Sequence, residues 1–556
     1  MTALEGEGTG VSGPGGSGGA EAFTPEERAA LAPWFTNTDK PVFALRNLPE
    51  VVKGALFARY SRSAKSLRRL FLDEFADRVH ELADVPPGAA EVGSERAAAL
   101  YRRVFDEYGD DSVAQLGGAH VACEQVSNVL TKVLEWGRLA AYLEQSTRYV
   151  SYADRRHGRF RYHVDPAVDA HPLGAEYRRV LDELFGVYAG CLPLLVAHLE
   201  QVAPRPAGSS EPAWRRALKA RALDGLRGLL PAATTANVGI FASGQAYEAL
   251  LLRLRAHPLA EARACGELLL AELRTLIPAF LTRVDRPDRG GAWSAYLAGT
   301  ADRAREAVAA LLGDDEAPER GPAVRLATAD PVAEDRVLAA IAVEHGRLDW
   351  AGALERVARL PAADRARLLD AYVGERGNRR HRPGRAFEQA LYTFEVVSDY
   401  GAFRDLQRHR LCTITWQPLS PRFGYEVPAD VDAAGLGEHF RGAMRASAGL
   451  HDELAAAGFT AQAPYAVTLA HRVRFTMTMN ARELLHVAEL RSTPQGHPAY
   501  RAVAQELHRL IADQAGHRLL AGAMRFVVHD DAGLGRLAAE QRLEIRRAAA
   551  DERPAR

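Results

Sequence analysis

Residues 467–479, V-T-L-A-H-R-V-R-F-T-M-T-M, partly alternate apolar and polar side chains, and at residue 480 the period changes. Alternation of this kind predicts a strand with one buried face. The following N-A-R-E-L-L-H-V-A-E-L-R places Leu484, Leu485 and Ala488 on one face of a helix. Asn480, with Glu483 three positions on, reads as a capping box at its start. Arg482 falls in the first turn, where its cation opposes the helix dipole and calls for an anionic partner, which suggests a ligand. A weaker copy stands in the first half, where G-Q-A-Y-E-A-L-L-L-R-L-R (244–255) keeps a closing arginine but lacks the Asn and the first Arg.

A second pair of blocks behaves the same way. H-V-A-C-E-Q-V runs into S-N-V-L-T-K-V-L-E-W-G-R, and A-L-Y-T-F-E-V-V runs into S-D-Y-G-A-F-R-D-L-Q-R-H-R. Each predicts a strand followed by a helix, with Ser127 or Ser398 as the N-cap. The helices end at Arg138 and Arg410, which sets the offset between the two copies, and a polar loop containing S-x-R follows each. The chain therefore reads as a duplication. Breaks rich in Pro, Gly or acid occur at 84–95, 203–212 and 313–322, and the last lies near the middle. The expected organisation is a disordered Gly/Ser-rich tail over 1–22, a first repeat over 23–312, a linker over 313–323 and a second repeat over 324–556.

Composition narrows the class. A chain of 556 residues with 47 % hydrophobic and 25 % charged residues is expected to form two or more soluble domains. A formal charge of −1 gives no global footprint for nucleic acid. Four scattered cysteines without a C-x-x-C fit a reducing cytoplasm, and neither a membrane span nor a leader is expected. The G-T-G-V-S-G in the tail matches a dinucleotide fingerprint in letters only, since no strand precedes it and no helix follows.

Together these blocks resemble the flavin-dependent thymidylate synthases. That family's signature is R-H-R, seven residues and then Ser, with E-Q-S-x-R-Y around the serine and a later N-A-R-x-L…L-R helix. The resemblance implies an α/β fold of two tandem thymidylate-synthase-like domains, each a β-sheet flanked by helices, packed as a pseudo-dimer. Neither half carries the whole signature. The first half has Glu144-Gln145-Ser146-Thr147-Arg148-Tyr149 at the right spacing, but Trp136-Gly137-Arg138 replaces R-H-R. The second half has Arg408-His409-Arg410 intact, but Pro418 stands where the serine belongs. The upstream arginine before L-P survives only as Arg227, and the N-A-R element only as Asn480-Ala481-Arg482.

The losses are complementary by role. The resemblance assigns nucleotide binding to Glu144, Gln145, Ser146, Thr147, Arg148 and Arg227, and flavin binding to Arg408, His409, Arg410, Asn480, Arg482 and His486. It gives Arg491 a place on the uracil ring, so that Arg491 and Ser146 are the candidate catalytic residues, with Ser146 read as a binding residue rather than a nucleophile. One composite site is expected, with Glu144–Tyr149 facing Arg408–Arg410 across the repeats. The implied reaction is reductive methylation of dUMP, with FAD as cofactor and NADPH and methylenetetrahydrofolate as co-substrates. A homodimer forming a pseudo-tetramer is the implied assembly. Asp405, where the family often has Gln, leaves open another pyrimidine nucleotide, and a non-catalytic nucleotide- or flavin-binding relative also stays open. One E-x-x-H at Glu483 and His486 is too little for a metal site, and none is expected. Arg380-His381-Arg382, a second R-H-R without the loop, reads as a basic segment.

Overall fold

The computed structural model describes residues 23–39, 45–48, 50, 52–53, 56, 65–76, 115–313, 323–530 and 535–551. The Gly/Ser tail, its glycine motif and the break at 84–95 lie outside them. The chain forms two compact units, one of Met1–His120, Phe241–Arg253 and Gly266–Ala295, the other of Val121–Ile240, Leu254–Cys265 and Tyr296–Arg556. The first has its own core, in which Phe35 meets Phe71 edge-on at 5.3 Å beside Leu31, Leu67 and Leu70. The second unit carries every candidate residue.

The fold is mixed α/β, and the described residues form two sheets built on one strand order. Strands β1 (Gly118–Ser127), β2 (Ala140–Glu144) and β3 (Thr235–Ser243) form a sheet ordered β1-β3-β2. Strands β4 (Val324–Ala329), β5 (Leu391–Asp399), β6 (Thr413–Trp416) and β7 (Arg472–Asn480) form a sheet ordered β4-β5-β7-β6. With β4 set aside, the two orders correspond as β1 to β5, β3 to β7 and β2 to β6. The ends of β1 and β5, Ser127 and Asp399, stand at the same offset as Arg138 and Arg410. The ends of β3 and β7, Ser243 and Asn480, stand at a shorter one. The difference is taken up between β2 and β3, where the first repeat holds the helices Leu173–Val202 and Glu211–Leu226.

The repeats meet on a local two-fold axis. Pro231 and Thr468 form an antiparallel bridge, and they are themselves equivalents, at the offset that relates Ser243 to Asn480. Ala232 N donates to Val467 O at 2.8 Å and Leu469 N to Leu230 O at 2.9 Å, so each repeat satisfies the other's backbone. Equivalent residues can pair directly in this way only where an axis relating them passes between them.

Local sequence explains the elements that carry the site. In β7 the residues Val473, Phe475, Met477 and Met479 are buried, alternating with half-buried Arg472, Arg474, Thr476 and Thr478. Ser127 caps the helix Asn128–Leu134 by accepting from Leu130 N. In the second repeat the cap is Asp399, which accepts from Ala402 N at 2.8 Å, one residue later than the expected Ser398, because β5 continues through Asp399. Asn480 caps Ala481–Arg491 by accepting from Glu483 N, while the Glu483 carboxylate turns to His409 instead of closing the expected box. The helix Leu173–Val202 is long and apolar enough, by length and composition, to cross a bilayer. Here Tyr177, Leu184, Phe185 and Leu195 are buried, and the helix packs on Gly437–Ala456 and Glu211–Leu226.

Candidate active site

The loop after β2 and the turn after helix Tyr400–Leu406 come together in the second unit. Glu144 has a side chain with no solvent exposure and accepts from Arg404 Nη2 at 2.5 Å, Arg408 Nη2 at 2.7 Å and Lys132 Nζ at 3.3 Å. Lys132 also meets Glu135 at 2.6 Å. Burial alone would raise the Glu144 carboxyl, but Arg404, Lys132 and Arg408 outweigh it and hold the group well below the usual carboxylate range. Lys132 and Arg404 are equivalents, at the offset of Arg138 and Arg410, so two pseudo-symmetric cations converge on one carboxylate. The position equivalent to Glu144 at that offset is Trp416, which cannot make the reciprocal cluster.

The rest of the first-repeat set is ordered but not bare. Ser146 Oγ accepts from Arg148 N at 3.2 Å, Thr147 is buried, and Gln145 N donates to Asn237 O. Arg148 forks onto Asp224 through Nε at 2.8 Å and Nη2 at 2.9 Å, and its Nη1 donates to Tyr500 Oη at 2.7 Å. Burial alone would lower this guanidinium, yet the Asp224 pair raises it above its ordinary value. Arg227 is buried, with Nη1 3.3 Å from Asp405 Oδ2. Gly401 leaves room for it, since a Cβ there would lie 3.0 Å from Arg227 Nε and Nη2.

On the second-repeat side, His409 is buried between Glu483 and Arg491. Arg491 Nε donates to His409 Nε2 at 2.9 Å, which leaves the ring proton on Nδ1, 3.1 Å from Glu483 Oε1. Burial and the neighbouring Arg491 push this imidazole well below its ordinary value, so it is neutral. Burial also lowers Arg491 itself, which lies over the Tyr500 ring at 5.4 Å. His486 stacks edge-on against His409 at 5.3 Å. Arg482 donates to Pro383 O at 2.9 Å and lies 3.7 Å from Glu388, so the cation in the first turn has a partner within the protein. Arg410 is exposed and reaches Arg138 O at 3.5 Å.

Other contributors had no motif to announce them. Asp224 and Asp405 neutralise the candidate arginines, and Tyr500 touches both Arg148 and Arg491. The segment after Val373 packs on the helix that carries Arg482 and Arg491. There Arg376 forks onto Glu489 at 2.6 Å with both side chains 1 % exposed, and Arg382 Nη2 lies 2.9 Å from His486 Nδ1. The second R-H-R is therefore part of the wall beside the candidate flavin residues. Lys132 and Arg404 were legible in principle, because they share the offset of Arg138 and Arg410.

Among the described residues, His409, Glu483 and His486 bring one ligand atom each to within 4.8 Å of one another. Arg491 on His409 and Arg382 on His486 make that corner unfavourable for a cation. The donor set suits an anionic cofactor better. Arg482 stands in the first turn of Ala481–Arg491 and Arg382 meets His486 on the same helix, and the Arg408 and Arg482 side chains are 37 % and 31 % exposed.

A cavity of about 960 Å³ opens beside the nucleotide-side residues, lined by Asp224, Arg227, Asp399 and His497 among others. The profile of the family described as "thymidylate synthase complementing protein" matches residues 56–279 and again 325–515. A UPF0159 protein of Chlamydia muridarum is 37 % identical over 528 residues, covering 94 % of this chain and 98 % of the relative. A UPF0159 protein of Chlamydia pneumoniae is 36 % identical over 532 residues, covering 95 % and 99 %. One from Thermoplasma acidophilum is 30 % identical over 520 residues, covering 89 % and 99 %. Two successive matches to one family, on two sheets of the same strand order about a local axis, lead to one conclusion: this chain belongs to the thymidylate synthase complementing protein family, in a two-repeat form.

Proposed function

We propose that the protein is a flavin-dependent thymidylate synthase-like enzyme with one composite site per chain. The reaction is reductive methylation of dUMP to dTMP. Methylenetetrahydrofolate gives the one-carbon unit, NADPH gives a hydride, and the pyrimidine C5 loses its proton. The observation that carries this reading is the meeting of Glu144 with Arg404 and Arg408, which joins the first repeat's loop to the second repeat's R-H-R turn.

In this reading Arg408, His409, Arg410, Asn480, Arg482 and His486 hold FAD, which supplies the hydride relay when bound. Ser146, Arg148 and Arg227 hold the nucleotide beside Gln145 and Thr147, while Glu144 fixes the loop that presents them. Arg491, lowered by burial and steered by His409, sits at the pyrimidine and stabilises negative charge developing on the ring. The chain is expected to pair with a second copy as a pseudo-tetramer, and light scattering that gives a flavin-loaded monomer at micromolar concentration counts against that. All four cysteines are free, which fits the proposed cytoplasmic setting.

The test is rescue of a thymidine-requiring bacterial strain, together with the absorbance spectrum of the purified protein. Rescue with a bound flavin spectrum supports the proposal. A yellow protein that neither rescues growth nor forms dTMP from dUMP in vitro refutes dUMP as substrate, and a colourless protein that cannot be loaded with FAD refutes the flavin assignment.

A further inference from the structure

The helix Ala481–Arg491 gives up half of its expected capping box. Asn480 still accepts from Glu483 N at 2.9 Å, but the Glu483 carboxylate leaves the helix end and meets His409 Nδ1 at 3.1 Å. Both side chains are buried, and the two residues lie 74 positions apart in the chain. Glu483 is the variable position of N-A-R-x-L, so the resemblance gives it no role.

The donors around His409 supply a reason for the contact. A guanidinium has no acceptor, so Arg491 Nε at 2.9 Å from His409 Nε2 requires the lone pair on that nitrogen. The ring proton is then on Nδ1, and Glu483 Oε1 is its acceptor. The other tautomer would set a ring N–H against the Arg491 N–H and leave two buried donors facing each other. Arg382 acts in the same way on the next ring, since its Nη2 at 2.9 Å from His486 Nδ1 puts that proton on Nε2. Burial keeps both imidazoles neutral, His409 well below its ordinary value and His486 lowered to about 4.

Arg491 is thereby anchored on two sides, through Nε to His409 Nε2 and through Nη2 to the Asp405 carbonyl at 2.5 Å. Two anchors define the plane of a rigid guanidinium and the direction of its remaining N–H groups. Without an acceptor at Nδ1 the imidazole exchanges tautomers, and the first anchor is lost while the second stays.

Resting on the function proposed above, we infer that Glu483 is a positioning residue for that reaction: it holds His409 in the Nδ1-protonated tautomer, and His409 in turn aims Arg491 at the pyrimidine. Because Asp405 keeps the other edge of Arg491, loss of Glu483 acts on turnover more than on nucleotide binding.

The experiment compares full-length, flavin-loaded wild type with Glu483→Gln, Glu483→Met and Glu483→Ala. The amide oxygen in Glu483→Gln still accepts from Nδ1–H, whereas Glu483→Met and Glu483→Ala remove the acceptor. In steady-state formation of dTMP, kcat should fall by about tenfold or more in Glu483→Met and Glu483→Ala, with KM for dUMP within about threefold. Both constants should stay within about threefold of wild type in Glu483→Gln. Nitrogen NMR of histidine-labelled protein, with His409→Gln identifying the resonances, should show Nδ1 protonated in the wild type and in Glu483→Gln, and mixed tautomers in Glu483→Met. Flavin content and melting temperature identify a variant that has not folded, and the wild-type spectrum and the remaining variants then carry the test. A kcat within about threefold of wild type in both variants without the acceptor overturns the inference, as does an equal loss in Glu483→Gln. A wild-type His409 protonated on Nε2 overturns it too. A wild type that binds flavin but forms no dTMP sinks the proposed function instead. The tautomer then decides for Glu483 alone, and an unchanged Nδ1 proton in Glu483→Met removes its role.

Discussion

Replacing Glu144 by Gln removes one charge and changes little volume, and it should destabilise the protein far more than a loop substitution does. Three cations converge on this carboxylate, but they do not lose equally. Lys132 keeps Glu135 at 2.6 Å, and Arg408, 37 % exposed, keeps access to water. Arg404 has neither recourse: its side chain is 6 % exposed, and its Nε already lacks a hydrogen-bond partner. Breaking a buried pair from one side costs about 3–5 kcal/mol, and with only Arg404 fully stranded the lower end, about 3 kcal/mol, is expected. Equilibrium urea unfolding reads this as a lower midpoint at unchanged slope. The double variant Glu144→Gln, Arg404→Met should recover most of the loss, because no buried charge is then left alone. A single-variant loss under about 1 kcal/mol, or a double variant worse than the sum of the singles, would refute the claim that this cluster holds the repeats together.

Arg376→Met strands Glu489, which like its partner is 1 % exposed, and should cost about 3–5 kcal/mol in the same unfolding experiment. Flavin should saturate near one per chain, since Gly244-Gln245-Ala246 in the first repeat offers no arginine where the second has Arg482; spectrophotometric titration reaching two per chain would contradict this. Acid should weaken the fold below the ordinary imidazole range. His471 and His497 are pushed by burial from 6.5 to about 4 and about 3, so the unfolded chain binds protons that the folded chain refuses. For His471 the loss approaches about 3 kcal/mol by about pH 4. Asp399 and Glu483, raised by burial, oppose this only in the acid carboxyl range. A urea midpoint that stays constant from about pH 6.5 to about pH 4.5 would show that these imidazoles are not held neutral.

The sequence by itself determined the duplication, the strand-to-helix units and the two sets of complementary motifs. It could do so because side-chain period, caps and residue offsets are local properties of a chain. The offset between Arg138 and Arg410 also relates Lys132 to Arg404, but no motif announced that pair until the fold brought both to Glu144. Where the cap fell, at Asp399 rather than Ser398, depended on one more residue of strand pairing, which local pattern does not specify. What only the tertiary structure decided is the charge state of the site. Arg148 and Arg227 look like open phosphate forks in one dimension, and folding brings Asp224 from 76 residues away and Asp405 from 178 residues away to meet them. Ion pairing depends on distance and burial, and neither is encoded at the position of the arginine itself.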